Sequence, residues 1–487
     1  MVVNLQKRHE GGSQMKKYDL IIIGAGPGGY TAALRAAENG LHVAIIEKRQ
    51  IGGTCVNFGC IPTKALIQAS RIFHEASHSD RYGVISSGVT YDKDKVMAFK
   101  DGIIESSRDE IIKELKEANV DIIMGTATIF PHLDVQVITN DGQELDLSAD
   151  DIIIATGART IIPDIPGIHL PAVLTSTQLL SEQQDFLTDL VVIGGGVVGV
   201  ECAYFMRRFH QNITIIEKSD RLLPPMDPEI SREIYNYAEK DGMELHTSCV
   251  VDKIEQQEDG RLVCTYRNLN TGEEATVTSS HVLVAIGRRS CTEDLFSLDC
   301  QIEMENGKIK VNKNFKTSMD HVYAVGDVSS DIQLAHVAAA QGHVVVEQIM
   351  KKANRTVMLS TVPSCLFIEL PIVPSCIYLS PEIATVGLSE AEAKEKGLQV
   401  RCGKYSIKEN LKAMIDPDAY GYIKVVFEER SDVLIGAQMV CPRATDMIGE
   451  MATAIANGLT STQLLYAMRA HPTYNEAIAR AVENSRK

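Results

Sequence analysis

Tyr18-Asp19-Leu20-Ile21-Ile22-Ile23-Gly24-Ala25-Gly26-Pro27-Gly28-Gly29 is the stretch whose reading decides the fold. An apolar, β-branched run leads into glycines at 24, 26 and 29, and a helix-compatible stretch follows. A second short strand, Leu41 to Ile46, then ends at Glu47. The same order recurs later: Leu190 to Ile193, glycines 194, 196 and 199, a helical stretch, and Ile213 to Ile216 ending at Glu217. In both copies the acid stands 23 residues after the first glycine (24 to 47, 194 to 217). The first glycine suits a tight turn and the second lets backbone approach a pyrophosphate. The third permits close helix–strand packing, with the helix N-terminus facing the phosphates. An acid ending the second strand can accept hydrogen bonds from a ribose diol. One glycine-rich turn is common in ordinary loops. Two, each with strand, helix and acid in place, predict an α/β chain that binds two dinucleotides.

At 487 residues the chain is too long for one core, and lengths of about 150 residues per domain imply roughly three. Its 64 acidic and 48 basic residues give a net charge of −16, which argues against nucleic acid or an anionic membrane as partner. Eleven cysteines are scattered, with Cys202, Cys249, Cys264, Cys291, Cys300, Cys402 and Cys441 isolated. That usage fits a reducing compartment better than a secreted disulfide scaffold, and a cytoplasmic protein is expected. No apolar run approaches the ~20 residues that span a bilayer, so a soluble protein is expected. Residues 1–14 read as a leader without an apolar core, and Met15-Lys16-Lys17 as a more natural start.

The first fingerprint is assigned to FAD. A unit at the N-terminus, completed by a later strand ending in Gly-Asp, is the arrangement of FAD-binding flavoproteins, and His321-Val322-Tyr323-Ala324-Val325-Gly326-Asp327 supplies that strand. Asp327 can bond a ribityl chain, and the helix after it can point its positive end at the pyrophosphate. Ile152 to Gly157 and Val284 to Arg288, with Thr156, Gly157 and Gly287, read as crossings between two nucleotide domains. The second fingerprint is assigned to NAD, because Glu217 repels a 2′-phosphate and Lys218-Ser219-Asp220-Arg221 is not a basic cluster. Arg221 leaves NADP open.

Cys55 and Cys60, in Gly52-Gly53-Thr54-Cys55-Val56-Asn57-Phe58-Gly59-Cys60-Ile61-Pro62-Thr63-Lys64, are separated by four residues and follow Glu47 closely. Core packing is the bland reading of such cysteines. A metal site is a further one, but no second Cys/His pair lies nearby to complete a tetrahedral set. The spacing places the two near one face of a helix, and a distorted turn brings the sulfurs within bonding reach. Lys64, four residues on, can stabilise a thiolate or a reduced flavin. Near the C-terminus, Ala470-His471-Pro472-Thr473-Tyr474-Asn475-Glu476 places an imidazole beside a carboxylate that can fix its tautomer, the base a dithiol substrate needs. A lone His before Pro is ordinarily a loop residue. With the cysteine pair and two dinucleotide sites upstream, a catalytic reading is preferred.

From about Tyr18 to the C-terminus the chain resembles the class I pyridine nucleotide–disulfide oxidoreductases, and within them the dihydrolipoamide-oxidising branch. That resemblance implies two Rossmann-like dinucleotide-binding domains and a C-terminal α+β dimerisation domain. The implied boundaries are 15–163 for FAD, 164–287 for NAD, 288–360 for a central region completing the FAD site, and 361–487 for the interface. It implies that protein-bound dihydrolipoamide is oxidised to lipoamide while NAD is reduced. His471, held by Glu476, frees a thiolate to attack Cys55, the more exposed sulfur, and Cys60 lies against the flavin. Lys64 and Glu201 are expected to pair beside the flavin. Thr54, Ala127, Thr156, Gly157, Asp327 and Ala335 match FAD contacts, and Val251 and Gly287 line the nicotinamide cofactor. A homodimer follows, the His–Glu pair of one subunit completing the site of the other. The implied partner is a lipoyl domain of a 2-oxoacid dehydrogenase complex or a glycine-cleavage carrier. No metal is expected.

Phe58 stands where the family usually has a smaller residue, and Tyr474-Asn475 replaces a more usual Leu-Ser. Both are expected to reshape substrate access. Val362-Pro363-Ser364-Cys365 recurs as Val373-Pro374-Ser375-Cys376, and no function is read from it. One alternative is another NAD(P)H-dependent disulfide or metal-ion reductase of the family. The chain lacks the C-terminal vicinal cysteines expected of a mercuric reductase. A non-catalytic flavoprotein binding module is the other, and it predicts loss of a cysteine or of the His–Glu pair, all of which are present.

Overall fold

A computed structural model describes residues 15–181, 189–350, 372–416 and 419–487. The expected leader (1–14) and the first copy of the Val-Pro-Ser-Cys repeat (362–365) lie outside the described residues. The chain divides into two compact units. One gathers described residues within 1–62, 94–161 and 288–357; the other gathers those within 63–93, 162–287 and 358–487.

In the first unit the strand Lys16–Ile23 is central. It pairs in parallel with Val43–Glu47 on one side and Glu144–Ile154 on the other, placing Ile22 opposite Ile45 and Ile153. Asp121–Ile129 extends the sheet beyond Val43–Glu47, and Val322–Ala324 extends it beyond Glu144–Ile154. Burial on both faces explains the unbroken apolar runs: Leu20, Ile21, Ile22 and Ile45 are fully buried. An antiparallel meander through Asp134–Thr139 joins Asp121–Ile129 to Glu144–Ile154.

The second unit repeats the plan. Its parallel sheet runs Glu244–His246, Ile213–Ile216, Leu190–Ile193, His281–Val284, Val173–Thr175, with Leu190–Ile193 in the middle. Here too an antiparallel meander, Cys249–Gln256, Leu262–Asn268 and Glu274–Ser279, accompanies the parallel strands. The C-terminal part of this unit is different. Five antiparallel strands lie in the order Ser375–Ile377, Glu382–Gly387, Leu434–Cys441, Tyr422–Glu428, Val400–Ser406. Helices Ala444–Ala456 and Glu476–Asn484 share a core with these strands through Phe427, Met439, Ile448, Met451, Ile478 and Val482. The last helix is amphipathic by pattern, burying Ala477, Ile478, Ala481 and Val482, and Glu476 opens it at a solvent-facing end.

Candidate active site

The two glycine turns have the same construction. Gly24 and Gly194 adopt φ of +103° and +109°, and a Cβ on either would fall 2.4 or 2.5 Å from the carbonyl oxygen of Ala155 or Ala285. A Cβ on Gly29 or Gly199 would fall 1.9 or 2.0 Å from the carbonyl of Gly24 or Gly194. These four positions are closed by the chain itself. The middle glycines are open instead: a Cβ on Gly26 would meet nothing nearer than 3.9 Å, and one on Gly196 nothing within 4 Å. Each middle glycine has an extended backbone and immediately precedes its helix, Pro27–Glu38 or Val197–Arg208. Both turns therefore leave free, at a helix N-terminus, the space that a diphosphate backbone occupies when a dinucleotide binds.

The acids repeat as closely. Glu47 accepts from Ala25 N–H at 2.9 Å with one oxygen and from Arg49 N–H at 2.7 Å with the other. Glu217 accepts from Gly195 N–H and Ser219 N–H, both at 2.6 Å. Each carboxylate thus ties its strand end to its glycine turn. A carboxylate offers about four acceptor sites, so both acids keep capacity for a ribose diol. The donor set and the open turns fit two dinucleotides.

The remaining cofactor candidates take their places within their units. Asp327 lies in the 3₁₀ turn Gly326–Val328, directly after the strand Val322–Ala324. Burial raises its carboxyl pKa, with Arg288 opposing. Gly326 N–H is held by Gln341 Oε1 at 2.7 Å, and Ala335 opens the helix Ala335–Ile349. Thr156 donates to the Cys291 carbonyl at 2.7 Å. Gly157 has φ +71° with nothing within 4 Å of a would-be Cβ. Ala127 is buried on Asp121–Ile129, and Thr54 lies in the helix Gly53–Phe58. Val251 is buried beside a register shift in Cys249–Gln256. Gly287, at φ +131°, precedes the strand Arg288–Ser290.

At the cysteine pair the structure corrects the sequence reading twice. Cys55 and Cys60 do not share a helix: Gly53–Phe58 ends at Gly59 (φ −143°, ψ −103°) and Cys60 starts a second helix, Cys60–Ser77. Five steps along one unbroken helix would leave the two side chains roughly 140° apart around the axis. The break at Gly59 removes that constraint. Exposure also inverts the expectation, since Cys60 is exposed and Cys55 only partly so. Cys60 stands at the open start of its helix, whereas Cys55 lies inside a short turn whose neighbours Val56 and Asn57 are buried. Asn57 anchors this turn by donating to the Ile51 and Gly53 carbonyls, both at 2.9 Å. Phe58 carries the Arg49 guanidinium 4.4 Å from its ring centre, a stacking contact that no spacing in the sequence announces.

Lys64, on the helix begun by Cys60, binds both oxygens of Glu201 at 3.0 and 2.8 Å. Glu201 is 5% exposed and Lys64 30%. Sequence reading missed the third member: Tyr378 donates its N–H to Glu201 Oε1 at 3.0 Å and lays its ring 4.5 Å from the Lys64 ammonium.

His471 Nδ1 lies 2.9 Å from Glu476 Oε1, and Glu476 Oε2 accepts from Thr473 N–H at 2.9 Å. These bonds hold the Glu476 carboxyl below its ordinary pKa, the Thr473 N–H first and His471 second. An ionised partner at Nδ1 places the proton there, leaving Nε2 as the basic nitrogen. His471 projects outward, 62% exposed. Tyr474 and Asn475, two departures from the family pattern, are each bonded within the C-terminal part. Tyr474 is buried and donates to Asp416 Oδ2 at 3.1 Å, and Asn475 donates to Glu450 Oε2 at 3.2 Å. Among the described residues no group of three or more His, Cys, Asp or Glu side chains is placed to hold a metal ion.

Residues 18–342 match the pyridine nucleotide-disulphide oxidoreductase family, and residues 373–482 match its dimerisation domain. The chain belongs to that family. Its relatives include a dihydrolipoyl dehydrogenase of Bacillus subtilis (strain 168), 35% identical over 96% of this chain and 97% of the relative. Another, from Geobacillus stearothermophilus, is 34% identical over 96% of this chain and 95% of its own length. Among solved structures, the Cu(II) complex of the HOCl-induced flavoprotein disulfide reductase RclA from Escherichia coli superposes with a TM-score of 0.84 at 26% identity. It covers 96% of this chain and 99% of that one. LpdA from Mycobacterium tuberculosis shares the fold at a TM-score of 0.85, with 24% identity and the same coverage of 96% and 99%. In family terms the architecture is therefore two Rossmann-like dinucleotide-binding domains followed by an α+β dimerisation domain. No helix among the described residues is long and apolar enough to cross a membrane.

Proposed function

We propose that the protein oxidises protein-bound dihydrolipoamide to lipoamide and reduces NAD, with Cys55 and Cys60 as the redox pair. The observation that carries this reading is the His471–Glu476 pair at 2.9 Å, a base matched to a thiol substrate in a chain that also carries two dinucleotide turns. The dihydrolipoyl dehydrogenase relatives, matched along nearly their whole length, support the same reaction.

In the first step His471 Nε2 takes a proton from one substrate thiol, and the imidazolium is stabilised by the Glu476 carboxylate. The thiolate attacks one sulfur of the Cys55–Cys60 disulfide, forming a mixed disulfide and releasing the other sulfur as a thiolate. The second substrate thiolate then attacks its own mixed-disulfide sulfur. Cyclic lipoamide leaves, and both cysteines are reduced. FAD, held by the residues of the first glycine turn and Glu47, would supply the two-electron chemistry that links the dithiol to NAD. We assign Cys55 as the sulfur attacked and Cys60 as the one released, on the family motif; exposure alone would reverse that order. Lys64, fixed by Glu201, supplies a positive charge next to where electrons accumulate.

The remaining assignments belong to this proposal. Residues 15–163 and 288–360 hold FAD through Gly24, Gly26, Gly29, Glu47, Thr54, Lys64, Ala127, Thr156, Gly157, Asp327 and Ala335. Residues 164–287 hold NAD through Gly194, Gly196, Gly199, Glu217, Val251 and Gly287. Residues 361–487 join two copies into a homodimer in which His471 serves the partner's cysteines. The reductant is carried on a lipoyl domain of a 2-oxoacid dehydrogenase complex or on a glycine-cleavage carrier, and the scattered cysteines favour a cytoplasmic location.

The test is a comparison of NAD reduction by free dihydrolipoamide and by dihydrolipoylated carrier proteins. Turnover with both, faster on a carrier, is expected. No turnover with either, alongside NADH-dependent reduction of a different disulfide, would replace dihydrolipoamide as substrate.

A further inference from the structure

The loop bearing His471 is held by a carboxylate outside the catalytic pair. Glu450, on the helix Ala444–Ala456, binds the Arg469 guanidinium with Oε1 and accepts from Asn475 Nδ2 at 3.2 Å with Oε2. Arg469 stands two residues before His471 and Asn475 four after it, so a single side chain grips both flanks of the loop. The grip is firm on the upstream side, where the Arg469 side chain is 7% exposed and also donates to the Leu464 and Ala467 carbonyls, both at 3.2 Å. Two further bonds hold the middle of the loop. Asn410 Nδ2 reaches the Thr473 carbonyl at 3.2 Å, and Tyr474 reaches Asp416. His471 projects from the loop, as Met468 and Pro472 also do.

We propose that Glu450 is a positioning residue for His471, acting through Arg469 and Asn475 to fix the loop geometry in which Glu476 can meet the imidazole. The inference rests on the proposed role of His471 as base. Its physical basis is the short chain of bonds. Asn475 directly precedes Glu476, and Glu476 receives Thr473 N–H and His471 Nδ1 on its two oxygens. If Asn475 is loosened, the first residue of the helix Glu476–Asn484 loses its fixed starting point, and the 2.9 Å contact with His471 lengthens. Tyr474 and Asn475, two of the three departures from the family pattern, then make sense as partners of Asp416 and Glu450. Arg480 also acts on Glu476.

The test uses the full-length, FAD-loaded protein with ¹³C-labelled histidine, His471 being assigned by difference from H471Q. In N475A and E450Q the His471 imidazole resonances are expected to shift and broaden as the 2.9 Å contact between Nδ1 and Glu476 loosens. In parallel, kcat for dihydrolipoamide oxidation should fall roughly tenfold, the scale of losing one positioning contact at a general base, with KM for NAD unchanged. NADH-dependent dye reduction should be retained in both variants, showing that the fold and both dinucleotide sites survive. Should E450Q misfold by leaving Arg469 unpaired, N475A alone decides. Unmoved His471 resonances and unchanged kcat in N475A would overturn the proposal, whatever happens to thermal stability. Resonances that move as expected, in a protein that never oxidises dihydrolipoamide, would retain the positioning role and overturn the substrate instead.

Discussion

Replacing the second and third glycines of the NAD turn, one at a time, separates what the turn does for the ligand from what it does for the fold. At Gly196 the backbone is extended (φ −74°, ψ −178°) and a Cβ meets nothing within 4 Å. Gly196→Ala should therefore leave folding nearly untouched. Lower chain entropy in the unfolded state contributes about 0.4–1 kcal/mol in its favour, offset by a comparable loss because alanine is a poor N-cap. The new methyl occupies the space a pyrophosphate needs. Overpacking of that kind costs about 1–3 kcal/mol, or a factor of roughly 5 to 150 in Kd for NAD. Gly199→Ala places its methyl 2.0 Å from the Gly194 carbonyl, so the helix must shift off its strand. That should cost about 3 kcal/mol, which at ~2–4 °C per kcal/mol lowers Tm by roughly 6–12 °C. Thermal unfolding and NADH titration by calorimetry of both variants read the two effects separately. The reasoning is refuted if G196A binds NADH as tightly as the parent, or if G196A loses as much stability as G199A.

The other expectations can be tested alongside. His471→Gln should lower the dihydrolipoamide-dependent rate on the order of 10²–10⁴ without changing NADH-dependent dye reduction, measured by steady-state kinetics. Glu201→Ala removes a buried carboxylate from Lys64 and from the Tyr378 N–H. Chemical denaturation should show a loss of about 2–3 kcal/mol, below the ~3–5 of a fully buried pair because Lys64 is partly exposed. Glu390 bonds Lys394 at 2.6 Å and Lys424 at 2.7 Å, which lowers its pKa to about 2. Its folded pKa is depressed, so its stabilisation is complete above the ordinary carboxylate value and fades as pH falls from about 4.3 towards 2. In E390Q, stability should depend less on pH across that window; an unaltered acid profile would refute the pairing. Glu476 follows the same sign, so acidification through the carboxylate range should loosen the His471 loop, read as faster hydrogen exchange at Thr473.

Much of this was legible because the motifs are local. A β-branched run, three spaced glycines and an acid 23 residues on are constraints of one strand–turn–helix–strand unit, and their repetition carried the fold without tertiary information. The His471–Glu476 pair was readable for the same reason, since five residues and a helix start suffice to bring it together. What escaped were features set by long-range packing. The helix break at Gly59 is set by the packing of the turn, although five steps already put the two cysteines on different faces of a continuous helix, roughly 140° apart. The acids Glu47 and Glu217 each give one oxygen to the glycine turn and the other to a backbone N–H two residues on, which spacing alone does not distinguish from ribose binding. Tyr378 and Glu450 reach their partners from strands and helices remote in sequence, and neither belongs to a motif. The bonds of Tyr474 to Asp416 and of Asn475 to Glu450 were hidden too, because a departure from a family pattern tells nothing of the direction in which a side chain points.

The central claim is that Cys55 and Cys60 exchange electrons with the nicotinamide cofactor as a disulfide. Alkylation with iodoacetamide before and after anaerobic addition of one equivalent of NADH, followed by peptide mass analysis, tests it most directly. The account predicts that the Cys55–Cys60 peptide resists labelling in the oxidised protein and becomes labelled at both cysteines after NADH, while buried Cys202, Cys264 and Cys441 stay unlabelled in both samples. Equal labelling of Cys55 and Cys60 with and without NADH would contradict it.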